Sequence, residues 1–202
     1  YIVLDSIHLK DKKIFNGFNH NEKSLLENVK PIFIMGLPRS GSTLIESIIS
    51  SGKKTIPNGG ETSIINRVLL DDNKSFFEGK EFLDNNKKLK INKSSFAKKT
   101  ISQYKLLNLI DESREGIFTD KSLENFFFIE LIINIFPKAK IINCERNILD
   151  IIISIYENFL PNIKWGHSIG NILEYVDNYL RVITKFKNKH ANKIHTVKLE
   201  EF

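Results

Sequence analysis

Between Pro31 and Gly52 the chain runs Pro-Ile-Phe-Ile-Met, then Gly-Leu-Pro-Arg-Ser-Gly-Ser-Thr, then Leu44, Ile45, Ile48 and Ile49 at helical spacing. The first run is short, apolar and bounded by Pro and Gly, as a buried strand is, and the last has the spacing of a helix that ends near Gly52. A strand that passes through a glycine turn directly into a helix sets the frame for the rest of the chain. Downstream the alternation continues. Lys53–Pro57 reads as a short second strand and Glu61–Leu70 as a helix behind the Gly59-Gly60 pair. Phe96–Ile110 reads as a helix, Gly116–Asp120 as a strand, Leu123–Phe136 as a helix stopped by Pro137, and Ala139–Cys144 as a strand. Ile148–Phe159 and the longer Ile169–Lys187 are helices, and Lys193–Leu199 is a last strand. Short apolar strands alternating with helices predict an α/β fold, a parallel sheet flanked by helices on both faces.

Residues 1–30 form a polar lead-in and residues 31–202 one domain, with no internal repeat. Residues 71–95, rich in Asp, Asn, Lys and Ser, read as a surface excursion. The chain begins at Tyr and stops at Glu-Glu-Phe without a closing element, which suggests an excised piece, incomplete at its C-terminal end.

Composition excludes several classes. Hydrophobic residues make up 41% and charged residues 27%, ordinary globular usage that disfavours a disordered or fibrous chain. The net charge of +6 allows an anionic partner. Much of the excess, however, is Lys scattered through Lys87–Lys99 and Lys185–Lys193, the pattern of a solvated face rather than a nucleic-acid footprint. Cys144 is the single cysteine, so there is no intrachain disulfide framework and no multi-Cys zinc site. No run reaches the roughly 18 apolar residues of a membrane span, and the first thirty residues lack a signal-peptide pattern. These features predict a cytoplasmic chain with neither a membrane nor a nucleic acid as partner.

Gly36-Leu-Pro-Arg-Ser-Gly-Ser-Thr43 resembles a P-loop, in which successive backbone N–H groups and a helix N-terminus surround a phosphate. In the triphosphate version a Lys follows the second glycine and clamps the β and γ phosphates. Here that position is Ser42, and the cation has moved to Arg39 within the loop. This argues against an ordinary NTPase or a P-loop nucleotide kinase. A plain glycine turn would explain Gly36 and Gly41 but not the Arg-Ser-Gly-Ser-Thr cluster.

With its strand, Pro31 to Leu44 is similar to the 5′-phosphosulfate loop of the sulfotransferases. It has the arginine form found in protein-tyrosine sulfotransferases and in bacterial sulfotransferases fused to tetratricopeptide repeats. The resemblance continues in family order through Gly60-Glu61, through Thr119-Asp-Lys-Ser-Leu-Glu-Asn-Phe126, and through Phe136-Pro-Lys-Ala-Lys-Ile-Ile-Asn-Cys-Glu-Arg-Asn-Ile-Leu-Asp150 to Ser154 and Tyr156. It implies the sulfotransferase fold, a P-loop-NTPase-like sheet. It also implies 3′-phosphoadenylyl sulfate (PAPS) as donor, 3′,5′-adenosine bisphosphate as product, and in-line transfer of a sulfuryl group to an acceptor hydroxyl or amine without a metal. The acceptor, whether small molecule, glycan or protein tyrosine, is not legible. An inactive relative that keeps the nucleotide site is the alternative.

By the same resemblance, Arg39, Ser40, Gly41, Ser42 and Thr43 hold the 5′-phosphosulfate, and Arg39 offsets charge building on the bridging oxygen. Glu61 matches the carboxylate that serves as general base, although a Glu after a glycine pair is also an ordinary first-turn helix residue. Lys121 matches the lysine supporting the leaving oxygen, with Asp120 orienting it and Asn125 in support. A solvated strand-end lysine is the plainer reading. Arg146 and Ser154 match the 3′-phosphate site, where the alternative is a surface ion pair beside a solvent-facing serine. Arg146-Asn-Ile-Leu-Asp150 stands where the family more often has Arg-Asp-Pro, but Asn147 can still start a helix as its N-cap. Ile151–Ile153 and Ile155 are expected in the core and Cys144 in a buried strand. Trp165, Tyr156, Phe159, Tyr175 and Tyr179 either pack or line a pocket, and the four-residue spacing of Tyr175 and Tyr179 favours packing.

Overall fold

The apolar run at residues 31–35 lies in the middle of the main sheet. In a computed structural model that describes residues 7–9, 26–52, 54–74, 89–111, 116–158, 160–161 and 163–201, it forms a strand, Lys30–Gly36. We label it β2, after a short strand β1, Ile7–Leu9. It is followed by α1 (Ser42–Ser50), α2 (Ile64–Asp72), β3 (Leu89–Ile91), α3 (Lys93–Leu106) and β4 (Ile117–Asp120). Then come α4 (Ile129–Ile135), β5 (Lys140–Glu145), α5 (Ile148–Glu157), α6 (Ile169–Lys189) and β6 (Ile194–Lys198).

Four strands pair in the order β4-β2-β5-β6, every pair parallel, while β1 and β3 form a separate parallel pair. The expected α/β architecture with helices around a parallel sheet is therefore present. Because β4 lies on one side of β2 and β5 on the other, the chain reverses direction across the sheet beside β2. Ligands of open α/β sheets bind outside the carboxyl ends of the strands at such a switch point.

Side chains of β2 alternate between two apolar layers, as a strand with both faces covered requires. Phe33 and Met35 enter the larger core with Phe118, Phe136, Ile141 and Tyr104, whose ring lies 4.7 Å from that of Phe118. Ile34 points the other way into a thinner layer with Ile45 of α1 and Cys144, against which Ile32, Ile49, Ile142 and Val197 pack. Leu26 and Val29 are buried in the larger core, so packing begins before Pro31. Helix α6 buries Ile172, Tyr175, Val176, Tyr179 and Ile183, a stripe with the helical repeat. No helix among the described residues is long and apolar enough to cross a membrane.

Several expectations are corrected. Residues 54–57 form no strand; their segment instead runs beside the end of β4, where the Thr119 amide donates to the Pro57 carbonyl at 3.0 Å. The helix expected from Glu61 begins at Ile64, leaving Glu61 in the preceding loop. The single helix expected over 123–136 opens as a 3-10 helix, Leu123–Phe128, before α4. Ile153 is 52% exposed, because it lies on the face of α5 opposite Ile151, Ile152 and Ile155. The surface excursion falls largely on residues 75–88, outside the described residues, as does Phe159.

Helix α4 is tied to the end of α6 through Glu130 Oε2, which accepts from Lys189 Nζ and His190 Nε2, both at 2.9 Å. Partial burial opposes ionisation of Glu130, but these hydrogen bonds and charges outweigh it and hold the carboxyl below its ordinary 4.5. A carboxyl held low contributes stability that is whole above the unfolded value and is lost as pH falls through the folded one. Glu130→Gln should therefore lower the urea midpoint at neutral pH. The gap to wild type should close as pH drops below 4.5, as urea titrations across that range would show.

Candidate functional site

Three strands deliver the expected site residues to one edge of the sheet: β2 runs into the phosphate loop, β4 into Lys121 and β5 into Arg146. The loop starts at Gly36, where a Cβ would lie 2.7 Å from the Cys144 carbonyl oxygen and 2.8 Å from Ser40 Oγ, so only glycine lets it pass so close to β5. Two residues further on are left-handed, Arg39 at φ 69° and Gly41 at φ 86°. Arg39 has a Cβ and holds this conformation at an expense of about 1–2 kcal/mol, a local strain of the kind that gathers at functional loops.

Gly41 is the N-cap of α1 and offers no side-chain acceptor. The first intrahelical bond runs from the Ile45 amide to the Gly41 carbonyl at 3.1 Å, so the amides of Ser42, Thr43 and Leu44 have no acceptor within the helix. Ser40 is 1% exposed, and its Oγ has no hydrogen-bond partner among the described residues. Uncapped amides beside an orphaned buried hydroxyl, in a turn where Cβ atoms at Gly36 and Gly41 would collide, fit a phosphate group. Ser42 is buried at the head of α1 and Thr43 is exposed; on the other side of Gly41 stands the side chain of Leu199.

Arg39 is exposed and donates from Nε to Ser154 Oγ at 2.9 Å, while Arg146 donates from Nη1 to the Arg39 carbonyl at 3.3 Å. A second guanidinium nitrogen of Arg146 lies 3.9 Å from Asp150. Arg39, Arg146 and Ser154 thus meet in one place, but Ser154 contacts Arg39 rather than the Arg146 with which its spacing paired it. Asn147 caps α5 as expected, its Oδ1 accepting from the Leu149 and Asp150 amides. Its own amide donates to Glu200 at 2.6 Å.

On the other side of β2, Lys121 Nζ donates to Glu61 Oε1 at 2.8 Å. The lysine side chain is 9% exposed and the glutamate 63%, so the ammonium sits beneath an open carboxylate. Lys121 also acts on β5: burial pushes the Cys144 thiol up to about 12, with the Lys121 charge opposing. That thiol stays protonated and is a packing residue, not a nucleophile.

The Asp120 carboxylate bonds to residues other than the Lys121 side chain. Its Oδ2 accepts from Thr62 Oγ1 at 2.7 Å and from Tyr104 at 2.6 Å. Its Oδ1 accepts from the Ser122 amide and hydroxyl and from Asn125 Nδ2. Burial, then the Asp120 charge, drive the Tyr104 phenol well above its ordinary value, so it remains a donor.

Tyr104, Thr62 and Glu46 are site-shaping residues with no assigned role in the sequence reading. Glu46 carries no such signal: the apolar spacing of Leu44, Ile45, Ile48 and Ile49 turns a different face inward, whereas in the fold Ser42, Ile45 and Glu46 are buried and Leu44 and Ile48 are exposed. Among the aromatics, Trp165 stacks on Tyr175 with centroids 3.8 Å apart, and Tyr179 meets Phe126 edge-on at 5.0 Å. These three pack, while Tyr156 is 59% exposed.

The fold is a parallel α/β sheet flanked by helices, with a glycine turn and three basic side chains, Arg39, Lys121 and Arg146, at its carboxyl edge. Residues 31–202 match the sulfotransferase family, and the chain belongs to that family. A protein of Aquifex aeolicus (strain VF5), described only as uncharacterized, is 33% identical over 161 residues, covering 70% of this chain and 20% of its own length. The chain thus spans about a fifth of that relative.

Proposed function

We propose that the chain is a sulfotransferase that takes its sulfuryl group from PAPS and passes it to an acceptor hydroxyl or amine. We place it in the tetratricopeptide-associated, protein-tyrosine-sulfotransferase-like branch and in the cytoplasm. The observation that carries the reading is the orphaned Ser40 hydroxyl beneath the uncapped amides of α1, with Arg39 and Arg146 on one side and the Lys121–Glu61 pair on the other. When bound, the nucleotide supplies an activated sulfuryl group and leaves as 3′,5′-adenosine bisphosphate. The loop amides with Ser40, Ser42 and Thr43 hold its 5′ end. Arg39 and Lys121 offset the negative charge that develops on the departing oxygen, for which fixed cations need no reorganisation. Arg146 and Ser154 hold the 3′-phosphate, the guanidinium through planar charge-assisted donors. Glu61 Oε1 or Oε2 takes the acceptor proton, for which an exposed carboxylate beside the lysine is suitably open.

Calorimetry with 3′,5′-adenosine bisphosphate and with ATP tests the donor. The bisphosphate should bind at least ten times more tightly, about 1.4 kcal/mol, because the loop has no lysine to clamp a triphosphate. Preference for ATP would reject this reading. Glu61→Ala should leave bisphosphate binding within about twofold while transfer falls by about 10²-fold, the usual scale for a positioned base.

A further inference from the structure

Glu46 is 3% exposed, yet it is a carboxylate on the inner face of α1, where its neighbours Ile45 and Ile49 are apolar. An apolar residue there would avoid the desolvation of a buried charge, so stability alone does not explain it. Its Oε1 accepts from the Thr119 hydroxyl at 2.7 Å and from the Gly60 amide at 3.1 Å. Thr119 Oγ1 in turn accepts from the Gly59 amide at 3.2 Å, and the Lys121 amide donates to the Gly60 carbonyl at 2.8 Å. Gly59 is pressed so close to β4 that a Cβ would stand 2.1 Å from the Thr119 carbonyl oxygen, and Gly60 is left-handed at φ 61°. A single oxygen thereby joins the helix of the phosphate loop, the turn that presents Glu61 and the strand end that presents Lys121.

We propose that Glu46 is a positioning residue: from the first turns of α1 it fixes the Glu61–Lys121 pair at a set distance from the phosphate loop. Its catalytic meaning rests on the transfer reading above, whereas its geometric meaning does not. Without the shared acceptor the Gly59-Gly60 turn loses its hold on α1, Glu61 drifts and Lys121 opens to solvent. The phosphate loop, held by its own glycines and by Arg146, stays formed. In turnover this predicts a fall in kcat of about 10²-fold in Glu46→Ala with donor KM unchanged, the scale of a misplaced catalytic group.

The test uses the whole chain, an amine-acetylating reagent and mass spectrometry of the modified lysines. In Glu46→Ala, Lys121 should be acetylated about tenfold faster than in wild type, the change expected when one or two hydrogen bonds restraining a loop are lost. Lys93, which is 4% exposed and donates to Asn134, should keep its wild-type rate. Glu46→Gln preserves the Oε1 acceptor and should restore Lys121 protection. If Glu46→Ala does not fold, Thr119→Val removes one of the two donors and should show the same selective exposure to a lesser degree. An unchanged Lys121 rate in a folded variant would overturn the proposal. So would Lys93 accelerating in step, the mark of general loosening, or failure of Glu46→Gln to restore protection. Binding of 3′,5′-adenosine bisphosphate, measured alongside, should be unaltered in Glu46→Ala. Its absence from wild type would reject the transfer reading and leave the lysine result to stand by itself.

Discussion

Arg39→Ala is expected to lower sulfuryl transfer by about 10²–10³-fold, the usual consequence of removing one fixed charge from a developing oxyanion. The fold should not notice. The Arg39 side chain is exposed, it donates to Ser154, and the carbonyl that Arg146 uses is backbone and survives the substitution. A sharper version is Arg39→Gly. The residue sits at φ 69°, where glycine is unstrained and an arginine is not. Glycine should therefore hold the loop's native conformation at least as well as arginine, keeping the melting temperature at or above wild type, while transfer falls as far as in the alanine variant. Gain in stability with loss of rate would mark Arg39 as strained for function. Lysine should restore only part of the rate, since it carries the charge without the planar fork that reaches Ser154 from Nε. Transfer from PAPS and thermal unfolding, measured on the three variants, decide it. An Arg39→Ala enzyme with wild-type turnover would remove the residue from the chemistry.

What the sequence disclosed was mostly what neighbouring residues decide. The β2 strand, the turn at Gly36 and Gly41, the Asn147 cap and the stripe of α6 all follow from spacing within a few residues. The loop before α2 does not. Its path is set by Glu46 and Thr119, which lie 14 and 60 residues from the glycines they hold, so a run of Lys, Thr, Ile and Pro looked like a strand with no means of showing otherwise. The same applies to residues 123–136. Their apolar spacing suits one helix throughout, but the Asp120 side chain takes the Ser122 amide and Asn125, and the chain enters through a tighter 3-10 turn. In the candidate site, motif spacing named segments that the fold brings to one end of the sheet, but not which side chains touch one another there. Ser154 and Arg39 are 115 positions apart, and only the packing of α5 against the loop brings the hydroxyl to the guanidinium.

Asp120→Ala should cost about 3–5 kcal/mol of folding stability, the range for emptying one side of a buried charged network. The aspartate is fully buried and accepts five hydrogen bonds, from Thr62, Tyr104, Asn125 and twice from Ser122. Alanine removes the acceptor to which the fully buried Tyr104 hydroxyl donates. Asp120→Asn should be milder, about 1–2 kcal/mol, because its carbonyl can still serve the Ser122 side while the hydroxyls of Thr62 and Tyr104 rotate to accept from its amide. Two members of the network adjoin the Glu61–Lys121 pair in sequence: Thr62 follows Glu61, and Ser122 follows Lys121. Loss of Asp120 should therefore loosen the candidate catalytic residues and the fold together, unlike Glu46, whose loss is expected to act on the turn alone. Urea unfolding of Asp120→Ala, Tyr104→Phe and the double variant separates these terms. Tyr104→Phe alone removes one donor and should cost about 1 kcal/mol, but in the alanine background that hydroxyl is already orphaned, so its removal should be neutral or stabilising. A double variant whose loss equals the sum of the singles would show that Tyr104 draws its stability from elsewhere and that Asp120 is not the hub of this network.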